Sequence, residues 1–241
     1  MSHLLEASNL DLQYGKVQVL FDVSIRVERG EFIALLGTNG AGKSTFLKAV
    51  SNLSGLTAGR VIFDDEDITG WAPDRIAAAG LAHIPGGRGT LPDLTVDENL
   101  RLGGHLLRNR AHRSEFASGL EYAYELFEWM GFRRKQLAGT LSGGEQQMLA
   151  IARALVLKPK MLMVDELSLG LAPVIVSQLM NVLKQLNADG LTILVVEQHA
   201  TLAMETAERV IFMEKGQVRF EGRGKELAGR RDLLRSVFLG S

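Results

Sequence analysis

The sequence predicts an α/β fold: a core of short apolar strands and helices, an antiparallel β subdomain at the N-terminal end, and an all-helical subdomain inserted in between. Three observations carry this reading. The apolar run Phe32, Ile33, Ala34, Leu35, Leu36 leads into a glycine-rich stretch, Gly37 to Thr45 (GTNGAGKST), and then into a helix-like segment. Two further short apolar runs, Met161 to Val164 and Leu191 to Val196, each end in polar residues, where open α/β sheets bind ligands. From Gly86 to about Thr140 the chain turns charged and helix-rich, unlike either flank.

Composition narrows the possibilities. The chain has 241 residues, 46% of them hydrophobic, which suffices for one domain or one domain with an inserted lobe. A net charge of -1 gives no bulk electrostatic reason to expect nucleic acid or an anionic membrane surface. Without cysteine there are no disulfides or thiolate metal sites, as suits a reducing cytosol. No apolar run approaches the roughly 20 residues needed to cross a bilayer, and Met1 to Leu10 lacks the basic and apolar regions of a signal peptide. A role at a membrane would need another chain to supply the spans.

Residues 3 to 29 read as short strands: Leu4 to Leu12, Val17 to Leu20, then Val23, Ile25 and Val27 alternating with Ser24, Arg26 and Glu28. Tyr14 sits in the first turn beside Gly15; an exposed aromatic there can stack on a nucleobase, but a lone turn tyrosine reads more simply as a partly buried anchor. A helix over Ser44 to Asn52 turns Phe46, Leu47 and Val50 inward, and Val61 to Phe63 forms a strand. The run Asp64, Asp65, Glu66, Asp67 lacks the spacing of a calcium loop and reads as a solvated hairpin turn. Pro73 to Ala79 gives a short helix and Leu81 to Ile84 a strand ending at Pro85.

Gly86, Gly87 and Gly89 then form a loop, and Thr95 with Glu98 makes a capping box that opens a helix over Val96 to Leu107. Arg108, Arg110, Arg113, Arg133, Arg134 and Lys135 have acidic residues interspersed, which favours a solvated helical lobe over an RNA or partner surface. LSGGEQQ, Leu141 to Gln147, opens a helix running to Leu157, and Pro173 begins another that runs to Ala188 after a loop at Ser168 to Ala172. Val210 to Met213 and Gln217 to Phe220 form a hairpin around Lys215 and Gly216, and two short helices close the chain.

The chemistry-bearing residues gather at the strand ends. Gly37, Gly42, Lys43 and Ser44 meet the GxxxxGKS spacing, so Thr38, Asn39, Gly40, Ala41 and Thr45 belong to a phosphate cradle as well. Glycines there let the backbone approach the ligand. Lys43 would reach the β- and γ-phosphates of a nucleotide, and Ser44 would offer its hydroxyl to Mg²⁺. Ser142 and Glu145 form a second capping box; the pair Gly143 and Gly144, which an N-cap does not require, suits a second anion-binding surface. Asp165 would hold Mg²⁺ and Glu166 would polarise an attacking water. Two acids after a strand also suit a simple turn, and without the phosphate loop the two readings weigh equally. Glu197, Gln198 and His199 end the strand at Val196, where a lone histidine is ordinarily a cap or core residue; His3, His83, His105 and His112 show no metal-ligand spacing.

Taken together, Gly37 to Ser44, LSGGE at Leu141 to Glu145, and Asp165 with Glu166 resemble the ATP-binding cassette subunits of ABC transporters, over essentially the whole chain. GRGTLPDLTVDENL and DELSLGLAPVIV are most similar to the LivF-type subunits of branched-chain amino acid importers, with urea-type importers carrying similar subunits. The resemblance implies a P-loop NTPase (RecA-like) core in one nucleotide-binding domain, with residues 1–85 and 158–241 as core and 86–157 as helical subdomain. It implies an ATPase that uses ATP and Mg²⁺ and works as a head-to-tail pair of cassettes. ATP then lies between the phosphate loop of one cassette and Ser142, Gly143, Gly144 and Glu145 of the other. In the same comparison Tyr14 faces adenine, Glu166 is the catalytic base and Asp165 the Mg²⁺ residue.

The implied partners are transmembrane permease subunits, a second ATPase subunit (a copy or a sister chain) and, indirectly, a solute-binding protein; the implied location is the cytoplasmic face of the cell membrane. Three positions depart from the family pattern. Gly86 stands where a Gln or Glu senses the metal and the permease, and Leu167 replaces a proline, which loosens the loop. Gln198 stands where most cassettes have a switch histidine, with His199 one residue later. The alternatives to an importer ATPase are a soluble ABC ATPase outside transport and an ATP-binding regulatory subunit.

Overall fold

The computed structural model describes residues 3–87, 89–105, 113–197 and 200–228. Two sheets organise them. The first is antiparallel, in the order β2-β1-β4-β5, from β1 (His3–Tyr14), β2 (Val17–Glu28), β4 (Ala58–Phe63) and β5 (Glu66–Asp67). β2 is one strand where two apolar runs were expected. The alternation breaks at Asp22 because that residue has φ 53°, facing a matching kink at Asn9 with φ 51°. Asn9 Nδ2 donates to Asp22 Oδ1 at 2.7 Å across this bulge, and the strand continues beyond it.

The second sheet has the order β10-β9-β3-β8-β7-β6. β3 (Phe32–Gly37), β6 (Leu81–Ile84), β7 (Met161–Val164), β8 (Thr192–Val196) and β9 (Arg209–Glu214) run parallel, and β10 (Gln217–Arg223) pairs antiparallel with β9. β3, β7 and β8 are buried along their whole length. That is why they read as unbroken apolar runs without the alternation of a half-exposed strand.

Successive side chains of the sheet serve two cores. Phe32, Ala34, Leu36, Leu162, Val164, Ile193 and Val195 pack on the side of the later helices. Ile33, Leu35, Met161, Met163, Leu194 and Val196 pack against the antiparallel sheet and α1 (Lys43–Val50). α2 (Pro73–Ala78) precedes β6; between β6 and β7 the chain forms α3 (Val96–Gly103), α4 (Arg113–Leu126), α5 (Glu128–Phe132), a 3₁₀ turn at Ala138–Thr140 and α6 (Gly143–Leu155). α7 (Pro173–Ala188), α8 (Ala200–Thr206) and α9 (Gly224–Ala228) complete the described elements.

Three local expectations change. α3 stops at Gly103, short of Leu107: a Cβ on Gly103 would lie 2.2 Å from Arg153 O and one on Gly104 2.2 Å from Phe116 Cδ2, so this glycine pair is a close crossing and a poor helix continuation. α8 was not anticipated. The acidic turn is only partly solvated, because Asp64 pairs with both Arg29 and Lys160 and pins the β4–β5 hairpin to the base of β7. Arg108, Arg110, His112, Gln198, His199 and the second closing helix lie outside the described residues.

Candidate functional site

The glycine-rich stretch joins β3 to α1, and its backbone leaves little choice of residue. Gly37 has φ 152°, and a Cβ there would lie 2.1 Å from the carbonyl oxygen of Met213 on β9. Gly42, with φ 98°, is the N-cap of α1 and gives it no side-chain cap, so the first-turn N–H groups remain available to an anion. Lys43 is only 5% exposed. Its Nζ donates to Gly37 O at 2.8 Å and Thr38 O at 3.0 Å, which leaves one ammonium proton for a ligand. Burial lowers the Lys43 pKa, while Glu166 and Asp165 pull it back towards the charged form.

Both acids follow β7. Asp165 is buried, and Ser44 Oγ donates to its Oδ1 at 2.9 Å. Burial and the neighbouring Glu166 raise the Asp165 pKa, opposed by the Ser44 hydroxyl and the Gly86 N–H. Glu166 has φ 48°, a left-handed backbone that costs about 1–3 kcal/mol for a residue with a side chain. A cavity of about 350 Å³ opens here, lined by Asn39 to Thr45 together with Val19, Glu166 and Leu169. Phosphate loop, Lys43, Ser44, Asp165 and Glu166 thus form one constellation. Leu167, expected to loosen the loop, is fully buried in the helical-side core and anchors it. Ser168 Oγ donates to Glu197 Oε2 at 2.6 Å with both side chains buried, joining this loop to the end of β8. The next residues, Gln198 and His199, are outside the described set.

The other expected residues lie apart. Tyr14 is 47% exposed at the end of β1, its hydroxyl 3.0 Å from Ser54 Oγ, and it is not among the residues lining the cavity. Ser142 caps α6 as expected: its Oγ accepts from Glu145 N at 3.3 Å and its own N donates to Glu145 Oε2 at 2.8 Å. Arg133 Nη1 donates to Glu145 Oε1 at 2.7 Å. None of Ser142, Gly143, Gly144 and Glu145 lines the cavity. Gly144 also has a packing reason that the sequence did not reveal, since a Cβ there would stand 2.4 Å from Ile175 Cγ2 on α7. Val19 and Leu169 escaped the sequence reading because only the fold brings their apolar side chains to the loop.

The ABC transporter family profile matches residues 20–168. The high-affinity branched-chain amino acid transport ATP-binding protein BraG of Pseudomonas aeruginosa is 38% identical over 237 residues, 98% of this chain and 100% of the relative. The chain belongs to the ABC transporter family. The cassette is also 34% identical over 225 residues to a probable branched-chain amino acid transport ATP-binding protein LivF of Archaeoglobus fulgidus, covering 93% and 94% of the two chains. Its fold matches the crystal structure of a nucleotide-free ATP-binding cassette from an ABC transporter with a TM-score of 0.87, 25% identity and full coverage of both chains. The LivF-type resemblance and the P-loop α/β fold expected from the sequence therefore both stand.

Proposed function

We propose that this ABC-family ATPase is the energy-coupling subunit of an importer for branched-chain amino acids or similar small solutes. The observation that carries the reading is the 2.9 Å hydrogen bond from Ser44 to Asp165, which ties the phosphate loop to the end of β7, where the next residue, Glu166, lines the same cavity as the loop. The N–H groups of Gly40 and of Gly42 to Thr45, with the Lys43 ammonium, would hold the phosphates of ATP. The Glu166 carboxylate, on the wall of that cavity, would orient the attacking water and take its proton as ADP and phosphate form.

The residues fit Mg²⁺. Ser44 Oγ and the Asp165 carboxylate offer hard oxygens side by side, while the described residues contain no group of three or more His, Asp or Glu that could hold a metal alone. Mg²⁺ prefers one or two protein oxygens with substrate phosphates and water, and when bound it neutralises phosphate charge. Ser142, Gly143 and Gly144 would serve the site of a second cassette, and Tyr14 would cover adenine. We take residues 86–157 as the helical subdomain of a single nucleotide-binding domain. No helix among the described residues is long and apolar enough to cross a membrane, so the reading assigns the spans to permease subunits and places this chain on their cytoplasmic side.

The test is reconstitution. The cassette, with the permease subunits that copurify in mild detergent, goes into vesicles containing ATP and Mg²⁺, and uptake of labelled leucine, isoleucine and valine is followed in the presence of a solute-binding protein. ATP-dependent accumulation supports the proposal. Turnover of ATP without any copurifying membrane partner would instead favour a soluble ATPase outside transport.

A further inference from the structure

Position 86 carries no side chain, yet the loop it opens packs against Asp165 and is tied to α6 at two points. Gly86 packs against the Asp165 carboxylate: a Cβ there would lie 3.4 Å from Asp165 Oδ2, and the Gly86 N–H helps to hold the Asp165 pKa down. Gln147 Nε2 donates to Gly87 O at 2.8 Å, and Arg153 Nη2 donates to Gly89 O at 2.5 Å. Both donors sit on α6, the helix that Ser142 opens.

The two side chains are placed for this task. Gln147 is only 4% exposed, a buried amide on α6. Arg153 pairs with no carboxylate among the described residues, and burial lowers its pKa, so its charge is directed at a carbonyl. Its stem is wedged under α3, where a Cβ on Gly103 would lie 2.6 Å from Arg153 Cγ. The loop needs such ties. Gly87 has φ 97° and Gly89 φ 56°, and a glycine-rich segment loses more conformational freedom on ordering than any other. Untied, it would present the Gly86 N–H to Asp165 only part of the time.

We propose that Gln147 and Arg153 are positioning residues for the metal-holding carboxylate: by fixing the carbonyls of Gly87 and Gly89 they hold the Gly86 N–H on Asp165, and so link α6 to the metal position through backbone alone. This rests on reading Asp165 as the Mg²⁺ residue. It also gives the chain a route for coupling the two regions that does without a side chain at position 86.

The test is equilibrium binding of a fluorescent N-methylanthraniloyl ATP to the purified cassette, in one arm with Mg²⁺ and in the other with EDTA, each variant first shown to be folded by its thermal melt. Gln147→Ala should weaken the Mg²⁺ arm by about tenfold, the size expected for losing a hydrogen bond that supports a charged group, while the EDTA arm changes by less than about twofold. Arg153→Ala should do the same, and Arg153→Lys, which keeps a donor for Gly89 O, should recover most of the loss. Gly86→Pro deletes the N–H itself, so it carries the test if Gln147→Ala does not fold. Combined with a folded Gln147→Ala it should cost no more than either change alone. Equal losses in both arms, or no loss in either, overturn the proposal while leaving the functional reading in place. A wild-type chain that binds no nucleotide in either arm overturns both.

Discussion

Replacing Gly144 with alanine separates the two demands on the LSGGE segment. The new Cβ would lie 2.4 Å from Ile175 Cγ2 and 3.6 Å from Ile175 Cβ, so α6 and α7 must part by about 1 Å to reach ordinary contact. Ile175 lies in the first turn of α7, and a β-branched side chain in a helix has little rotamer freedom with which to escape. Overpacking of this kind costs about 1–3 kcal/mol, which for a chain of this size lowers Tm by about 3–10 °C. Urea titration and thermal melting measure it directly. Gly144→Ala with Ile175→Ala removes the clash and should regain most of that loss, less about 1 kcal/mol for truncating a partly buried isoleucine. If the N-terminus of α6 also faces ATP in a second cassette, the relieved double variant stays slow in ATP turnover despite its recovered stability. A Gly144→Ala variant that melts with the wild type would refute the packing argument. A double variant that regains both stability and full turnover would refute the anion-binding role.

Further outcomes follow from the same geometry. Burial pushes the His83 pKa down to about 4, so above pH 6.5 the ring is neutral in both states and below it only the unfolded chain takes up the proton. Stability should therefore fall by about 3 kcal/mol as pH drops from 6.5 to 4, and His83→Asn should flatten that part of the profile in urea titrations at several pH values. Gly37→Ala meets the Met213 carbonyl oxygen at 2.1 Å, a backbone atom that cannot turn aside, and should destabilise by about 3 kcal/mol or more on chemical denaturation. Lys43→Ala should weaken nucleotide binding by roughly ten- to a hundredfold, measured by fluorescence titration, because a buried ammonium aimed at phosphate is lost.

What the sequence disclosed follows from where the information is local. Glycine spacing and the apolar run before it located the phosphate loop, since Gly37 and Gly42 are demanded by backbone conformation at their own positions. β7 and β8 were legible because burial on both faces leaves an unbroken apolar run. The bulge that joins the halves of β2 was not, because it depends on Asn9 fifteen positions from Ser24, whose Oγ accepts the Asn9 N–H. Nor could spacing disclose that Gly86 touches Asp165 or that Gln147 and Arg153 hold its loop, since these partners are brought together by the β6–β7 pairing and the packing of α6. The adjacent polar pair Gln146 and Gln147, both buried in α6, is the sequence signal that would have pointed there. Of the residues singled out in the sequence, Glu166 lines the phosphate cavity, whereas Tyr14 and Ser142 to Glu145 do not.

The central claim, that this constellation hydrolyses ATP, is tested most directly by steady-state phosphate release at saturating ATP and Mg²⁺, comparing the wild type with Glu166→Gln. The variant keeps the size of the side chain and loses the carboxylate on the wall of the phosphate cavity. Turnover should fall by about a hundredfold or more while nucleotide affinity stays within about threefold of the wild type. Equal rates in the two proteins would contradict the account.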